Sequence, residues 1–287
     1  MKIVGDVLGV ARSNLHVRVH RPTDWTDRRR NRRPHEDSEL VAEISNEIAG
    51  LPSYGYRRAW TLVNRRRQCA GMRRVNHKRV YRVMRDYQLL LRRYTGRPLD
   101  TRSHDGRIAV SESNRRWCSD GFEIACDNRE RVRVAFALDC CDREAMSWLA
   151  TTGGISGDMV RDLMVEAMEA RFDGAVPTQP IEWLTDNGSP YVARDTRSFA
   201  REIGLEPLTT AIHSPQSNGM AEAFVKTFKR DYVERMDRSD AISVMRQLTA
   251  AFEHYNDVHP HSALKMLSPR MFRRRNAELS VTACPEK

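Results

Sequence analysis

The chain has 287 residues, 40% of them apolar and 30% charged, which suits two or three domains of ordinary size and excludes a disordered chain. No apolar run approaches the roughly 18 to 20 residues that span a bilayer. Asp6 and Arg12 interrupt the start as they would not in a signal peptide, and six scattered cysteines without a CxxC pair argue against a disulfide framework or a zinc site, so a cytoplasmic location is expected. The formal net charge is +10, and it is unevenly spread: residues 1–100 hold 23 Lys and Arg against 10 Asp and Glu, while residues 101–287 hold 25 against 28. A basic module joined to a nearly neutral one suits a polyanion held by the first and worked on by the second.

In chain order, Leu8-Gly9-Val10-Ala11-Arg12-Ser13-Asn14-Leu15 reads as a glycine turn followed by a Ser-capped helix, the tail of a helix-turn-helix unit. Residues 1–37 are assigned to that tail and a basic linker, whose block from Arg28 to Pro34 packs five arginines before the proline. Residues 38–94 form a small helical domain. Leu40, Val41, Ile44 and Ile48 share one helical face; Tyr56, Ala59, Trp60 and Val63 share another. A third helix begins near Asn76, with Val80, Met84 and Tyr87 on its apolar side and Lys78, Arg82 and Arg85 opposite. That basic stripe suits a helix lying in a major groove. Residues 95–106 are a linker.

From there the periodicity changes. Trp117–Ile124, Arg131–Asp139 and Ala145–Thr152 are strand-like, with strict alternation at Val132, Val134 and Phe136. Helix over 157–172, strand over 181–185, helix over 196–203, strand over 205–210 and long helices over about 215–236 and 240–256 follow. A meander followed by alternating helix and strand makes an α/β fold with a mixed sheet, assigned to residues 107–275, with 276–287 a polar tail.

Three acids fall at element ends or inside apolar segments. Asp120 lies within the first strand, Asp186 closes the strand 181–185 before an Asn-Gly turn, and Glu222 sits on a long helix. Carboxyl ends of sheet strands are where α/β folds place ligands. Three converging carboxylates need a cation, and hard oxygen ligands with open positions suit Mg²⁺ or Mn²⁺. Two such ions would activate one oxygen of a phosphodiester exchange and stabilise the other. Lys226 and Lys229 share the face of Glu222 and would lie along the DNA, while Phe224, Val225 and Phe228 form the opposite, apolar face.

The 35 residues between Asp186 and Glu222, with Asp120, give the DD(35)E pattern of retroviral-type integrases and related transposases. The surrounding segments are specific: Trp117-Cys118-Ser119-Asp120, Thr185-Asp186-Asn187-Gly188 and His213-Ser214-Pro215-Gln216-Ser217-Asn218-Gly219-Met220-Ala221-Glu222. The closing segments Tyr255-Asn256, His259-Pro260-His261-Ser262-Ala263-Leu264 and Leu267-Ser268-Pro269 match as well, as do Tyr54-Gly55-Tyr56-Arg57-Arg58 and Val75-Asn76-His77-Lys78-Arg79-Val80-Tyr81 upstream. Over residues 40–275 the chain resembles the larger, OrfB-type product of a bacterial insertion sequence split into two overlapping frames.

The resemblance implies an RNase H-like integrase core behind a helix-turn-helix-like DNA-binding domain, and catalysis by Asp120, Asp186 and Glu222 holding Mg²⁺ or Mn²⁺. It also implies metal-dependent cleavage and strand transfer of element ends. DNA contacts are expected from Lys226, Lys229, Lys78, Arg79, Arg82, Arg85, Arg57 and Arg58. The implied partners are double-stranded DNA, a first-frame subunit or frameshift fusion with it, and further copies of the chain on DNA, with no membrane. Two departures stand out: Gly121-Phe122-Glu123 where the family often has Ile-Thr-Tyr, and His259 where it usually has Arg. A retroviral HHCC zinc site is not expected, since Cys69 is the one cysteine of residues 1–100. A non-catalytic DNA-binding regulator and a nuclease that only hydrolyses are the competing readings. The retained three acids speak against the first, and the basic front module against the second.

Overall fold

The computed structural model describes residues 2–23, 25, 37–92, 110–209 and 219–282. The chain divides into two compact units, Met1–Glu43 and Ile44–Lys287. The first carries α1 (Lys2–Leu8) and α2 (Arg12–Val19), separated by Gly9 at φ +61, a left-handed turn that glycine adopts without strain. Ala11, not Ser13, occupies the N-cap of α2, so the expected serine cap lies inside the helix. The arginine block 28–34, the linker 95–106 and the motif residues 213–218 lie outside the described residues.

In the second unit, α3 (Ser38–Ala49, which begins in the first), α4 (Tyr56–Cys69) and α5 (His77–Asp86) bury Ile44, Ala59, Leu62, Val63, Val80, Val83 and Met84. Asn76 caps α5 by accepting from the Lys78 N–H at 2.9 Å. Val83 takes the core place expected of Tyr87, which is exposed past the helix end.

The sheet has five strands in the order β3-β2-β1-β4-β5. β1 (Arg116–Ala125), β2 (Arg131–Asp139) and β3 (Ala145–Thr151) form the antiparallel meander. β4 (Ile181–Thr185) and β5 (Leu205–Thr209) add parallel strands on the other side of β1. The alternation of β2 decides the two faces. Val132, Val134, Phe136 and Leu138 meet α9 (Gly219–Asp231) and α10 (Ala241–Asp257); Ala135 and Ala137 meet α6 (Gly157–Phe172). The chain between β4 and β5 forms α7 (Ser189–Val192) and α8 (Arg194–Glu202). α9 starts at Gly219, with 210–218 outside the described residues, and ends at Asp231, shorter than the expected 215–236. α11 (Pro269–Thr282) continues through the segment expected to begin a polar tail at 276; Arg270 and Arg273 of this helix bind the buried Glu144.

The helical module and the catalytic fold were expected as separate domains, yet α4 is built into the sheet-bearing unit. Tyr54 Oη lies 2.7 Å from His259 Nδ1, both buried. Arg58 binds Asp231 at 2.9 Å. Arg65 donates to the carbonyls of Val258 and Met266 at 2.7 and 2.6 Å, placing a cation at the C-terminus of α10, where the helix dipole favours it. Polar contacts of this kind between segments some two hundred residues apart carry no local sequence signature.

Candidate active site

The parallel ladder between β1 and β4 sets Arg116 against Glu182 and Cys118 against Leu184, so Asp120 and Asp186 follow two residues further along neighbouring strands. Asp120 is half-buried and its Oδ1 accepts from the Gly121 N–H at 2.7 Å. Asp186 is exposed and its Oδ1 accepts from the Gly188 N–H at 3.0 Å. A Cβ at 188 would stand 2.9 Å from that same oxygen, so glycine is the residue that lets the carboxylate fold back on its turn.

Glu222 enters from α9. Met220, Ala221, Phe224 and Phe228 are buried beneath the helix, with Phe228 against Phe252 (4.4 Å between centroids) and Phe224 against Phe136 (4.5 Å). This fixes the register and turns Glu222 outward. Its Oε2 lies 3.9 Å from Lys226 Nζ. Lys229, on the same side, places its ammonium 5.7 Å over the Phe122 ring.

The three acids share an electric field. Burial pushes the Asp120 carboxyl up to about 6, and the charges of Asp186 and Glu222 add to the rise against the Gly121 hydrogen bond. They are not drawn into a closed cage: among the described residues no three His, Cys, Asp or Glu side chains are gathered closely enough to hold a metal ion. An all-carboxylate set in mutual repulsion has the donor chemistry of a hard divalent cation, so the residues fit such an ion.

The expected DNA-contact residues divide. Lys226 and Lys229 flank Glu222. Arg57 and Lys78 are exposed on α4 and α5, and Arg85 is exposed while pairing with its neighbour Asp86 at 2.8 Å. Arg79 and Arg82 are half-buried beside them, with their own contacts. Arg58 departs from the expectation: Asp231 takes its guanidinium inward, away from any phosphate. Asp231 itself escaped the sequence reading, although an acid three residues after Phe228 on an apolar stripe is a signal that something pairs with it.

The two departures from the family pattern find local reasons. At Gly121 a Cβ would meet Ile155 at 3.2 Å, so the volume of a larger residue is filled from the loop before α6. His259 is fully buried beside Tyr54, Tyr255 and Asp231, and is therefore a packing residue of the joint instead of a DNA contact.

The similarities to known proteins define the class: a polynucleotidyl transferase with an integrase core. Residues 110–215 and 203–269 match two families each described as an integrase core domain, and residues 34–97 match an HTH-like domain. The chain is 53% identical over 288 residues to the transposase InsD for insertion element IS2A/D/F/H/I/K of Escherichia coli, covering 100% of this chain and 95% of the relative. The InsD transposase for element IS2-9 of Escherichia coli K12 matches at the same identity over 94% of its length. The chain therefore belongs to the insertion-element transposases, DDE-type enzymes that act on DNA. Among solved structures, a chain of the simian T-cell lymphotropic virus intasome, in complex with PP2A regulatory subunit B56 gamma, shares the fold. Its TM-score is 0.50 at 12% identity, with 81% of this chain and 73% of that one covered. No helix among the described residues is long and apolar enough to cross a membrane.

Proposed function

We propose that Asp120, Asp186 and Glu222 form the catalytic centre of DNA cleavage and strand transfer at the ends of an insertion element. The observation that supports this is geometric: Asp120 and Asp186 each lie two residues past the last pair of the β1–β4 ladder, and the buried apolar face of α9 turns Glu222 outward. The three carboxylates would hold Mg²⁺ or Mn²⁺, two ions in the full site. When bound, such ions supply Lewis-acid stabilisation of the attacking and leaving oxygens of a phosphodiester.

The chain's own residues do the rest. Asp120, within β1, and Asp186, just past the end of β4, set one side of the site, and Glu222 sets the other. Lys226 holds Glu222 by charge, and Lys229, about two helical turns on, offers its ammonium to a neighbouring phosphate at roughly 10 Å from Glu222. Arg57, Lys78, Arg79, Arg82 and Arg85, on the module that matches the HTH-like family, grip the duplex. The domain plan proposed is DNA binding over 38–94 and catalysis over 107–275, with the two physically fused through α4.

The enzyme works in the cytoplasm, on DNA, as an oligomer and with a first-frame subunit or as a fusion with it. Asp186→Asn tests the site. Cleavage and joining of end-bearing oligonucleotides fall below detection while duplex binding stays near wild type. Full activity in that variant removes the site assignment.

A further inference from the structure

The β1–β4 ladder runs out before it reaches the aspartates. Its last pair is Cys118 with Leu184, so the backbone does not tie Ser119-Asp120 to Thr185-Asp186, although both acids must keep a fixed separation to share a ligand. A side chain crosses the gap. Tyr191, from α7, is buried, and its hydroxyl makes a 3.1 Å hydrogen bond with Oγ of Ser119, which is fully buried beside Asp120. The same ring lies against Gly188: a Cβ there would be 3.4 Å from Tyr191 Cδ2. Gly188 is the residue whose N–H holds Asp186 Oδ1. A single phenol thus touches the immediate neighbour of the first aspartate and the turn that orients the second. Burial raises the Tyr191 pKa, and Asp120 and Asp186 both add to the rise, which places the ring in the field of the two acids.

We propose that Tyr191, through Ser119 and Gly188, is the positioning residue that sets the spacing of Asp120 and Asp186 for divalent-cation binding. It touches no reacting atom. The hydroxyl bond replaces the missing rung of the ladder, and the ring fixes the Asp186 turn. This rests on the assignment of the two aspartates as cation ligands.

The test measures Mn²⁺ binding to the full-length protein without DNA, by the loss of the free-ion electron paramagnetic resonance signal. Tyr191→Phe keeps the ring and deletes the hydroxyl; Ser119→Ala deletes its partner. Partners that orient ligating carboxylates change metal affinity by roughly 10- to 100-fold. Each variant is expected to weaken Mn²⁺ binding about tenfold or more, the double variant no further than either single one, with thermal unfolding close to wild type. Raised Mn²⁺ restores cleavage by Tyr191→Phe. Unchanged Mn²⁺ affinity in either single variant, or losses that add in the double variant, overturns the proposal. So does loss of the fold in both single variants, which would assign the pair to stability alone. Asp186→Asn, measured alongside, separates the two claims. If it too binds Mn²⁺ as wild type, the ligand assignment itself fails, whatever Tyr191 does.

Discussion

Two of the places where this molecule takes carboxylates out of water treat them in opposite ways. In the joint between α4 and the catalytic fold, Asp231 is fully buried, and burial alone would raise its pKa. Arg230 at 2.6 and 2.7 Å and Arg58 at 2.9 Å instead hold it below the usual range. In the cleft, Asp120 has no cationic partner among the described residues, and burial and two like charges push it up to about 6. The fold is able to supply two guanidiniums to one buried acid, and at the joint it does. In the proposed site, leaving Asp120 uncompensated would keep a place for a divalent cation to complete, at a cost to the stability of the cation-free protein.

The largest effect on that contrast comes from Asp231→Ala. It removes the acid that both arginines serve. Breaking a fully buried pair costs roughly 3–5 kcal/mol, and because Arg58 and Arg230 reach solvent the loss here is expected at about 2–4 kcal/mol, measured by urea unfolding. Equal stability in the variant would show the joint to be dispensable.

A smaller effect separates the two places by the sign of their pH dependence. His259, buried in the joint, has its pKa lowered to about 2 by burial first and by Arg58. The unfolded chain takes up a proton near pH 6.5 that the folded chain refuses. This contribution is therefore complete above about pH 6.5 and falls by roughly 1.4 kcal/mol per pH unit below it. His259→Gln flattens that slope. Asp120 runs the other way: its folded pKa lies above the unfolded one, so stability falls as pH rises from about 4 to about 6 and the deficit persists above. Asp120→Asn is expected to raise the melting temperature of the cation-free protein at pH 7 and to lose the stabilisation that Mg²⁺ gives wild type. Melting curves between pH 5 and 8 check both signs.

The smallest effect is Lys229→Ala, which spares the fold and lowers the salt slope of end-DNA binding by about one unit. A variant that unfolds would mean that the 5.7 Å contact with Phe122 carries structure instead of DNA.

The sheet was legible because β2 alternates at Val132, Val134 and Phe136 and because the helix over 157–172 and the strand over 181–185 carry their own start and stop signals; their bounds match the structure. The acids were legible from their spacing and the motifs around them. Neighbouring arginines were not. Arg57 faces solvent and Arg58 faces Asp231, and only a rotation of about 100° on the helix separates them, decided by a partner 173 residues away. The attachment of α4 was hidden for the same reason, and the charge split between the first hundred residues and the rest even argued against it. Tyr191 belongs to none of the motifs that the sequence offers. Its role depends on where a parallel ladder stops, which no periodicity announces.

α9 carries Glu222 in its first turn and Asp231 at its last residue, nine positions apart, which makes it a rod of about 13 Å between the two acids. Phe228 and Asp231 clamp the far end, so the near end behaves as the tip of a lever. A tilt of about 5° at the clamp swings the tip by about 1 Å, the displacement at which a catalytic group placed for reaction loses on the order of a hundredfold in rate. Because Arg58 grips that clamp from α4, the aim of Glu222, the proposed catalytic glutamate, is mechanically tied to the helix that packs against α5, the proposed DNA-contacting helix.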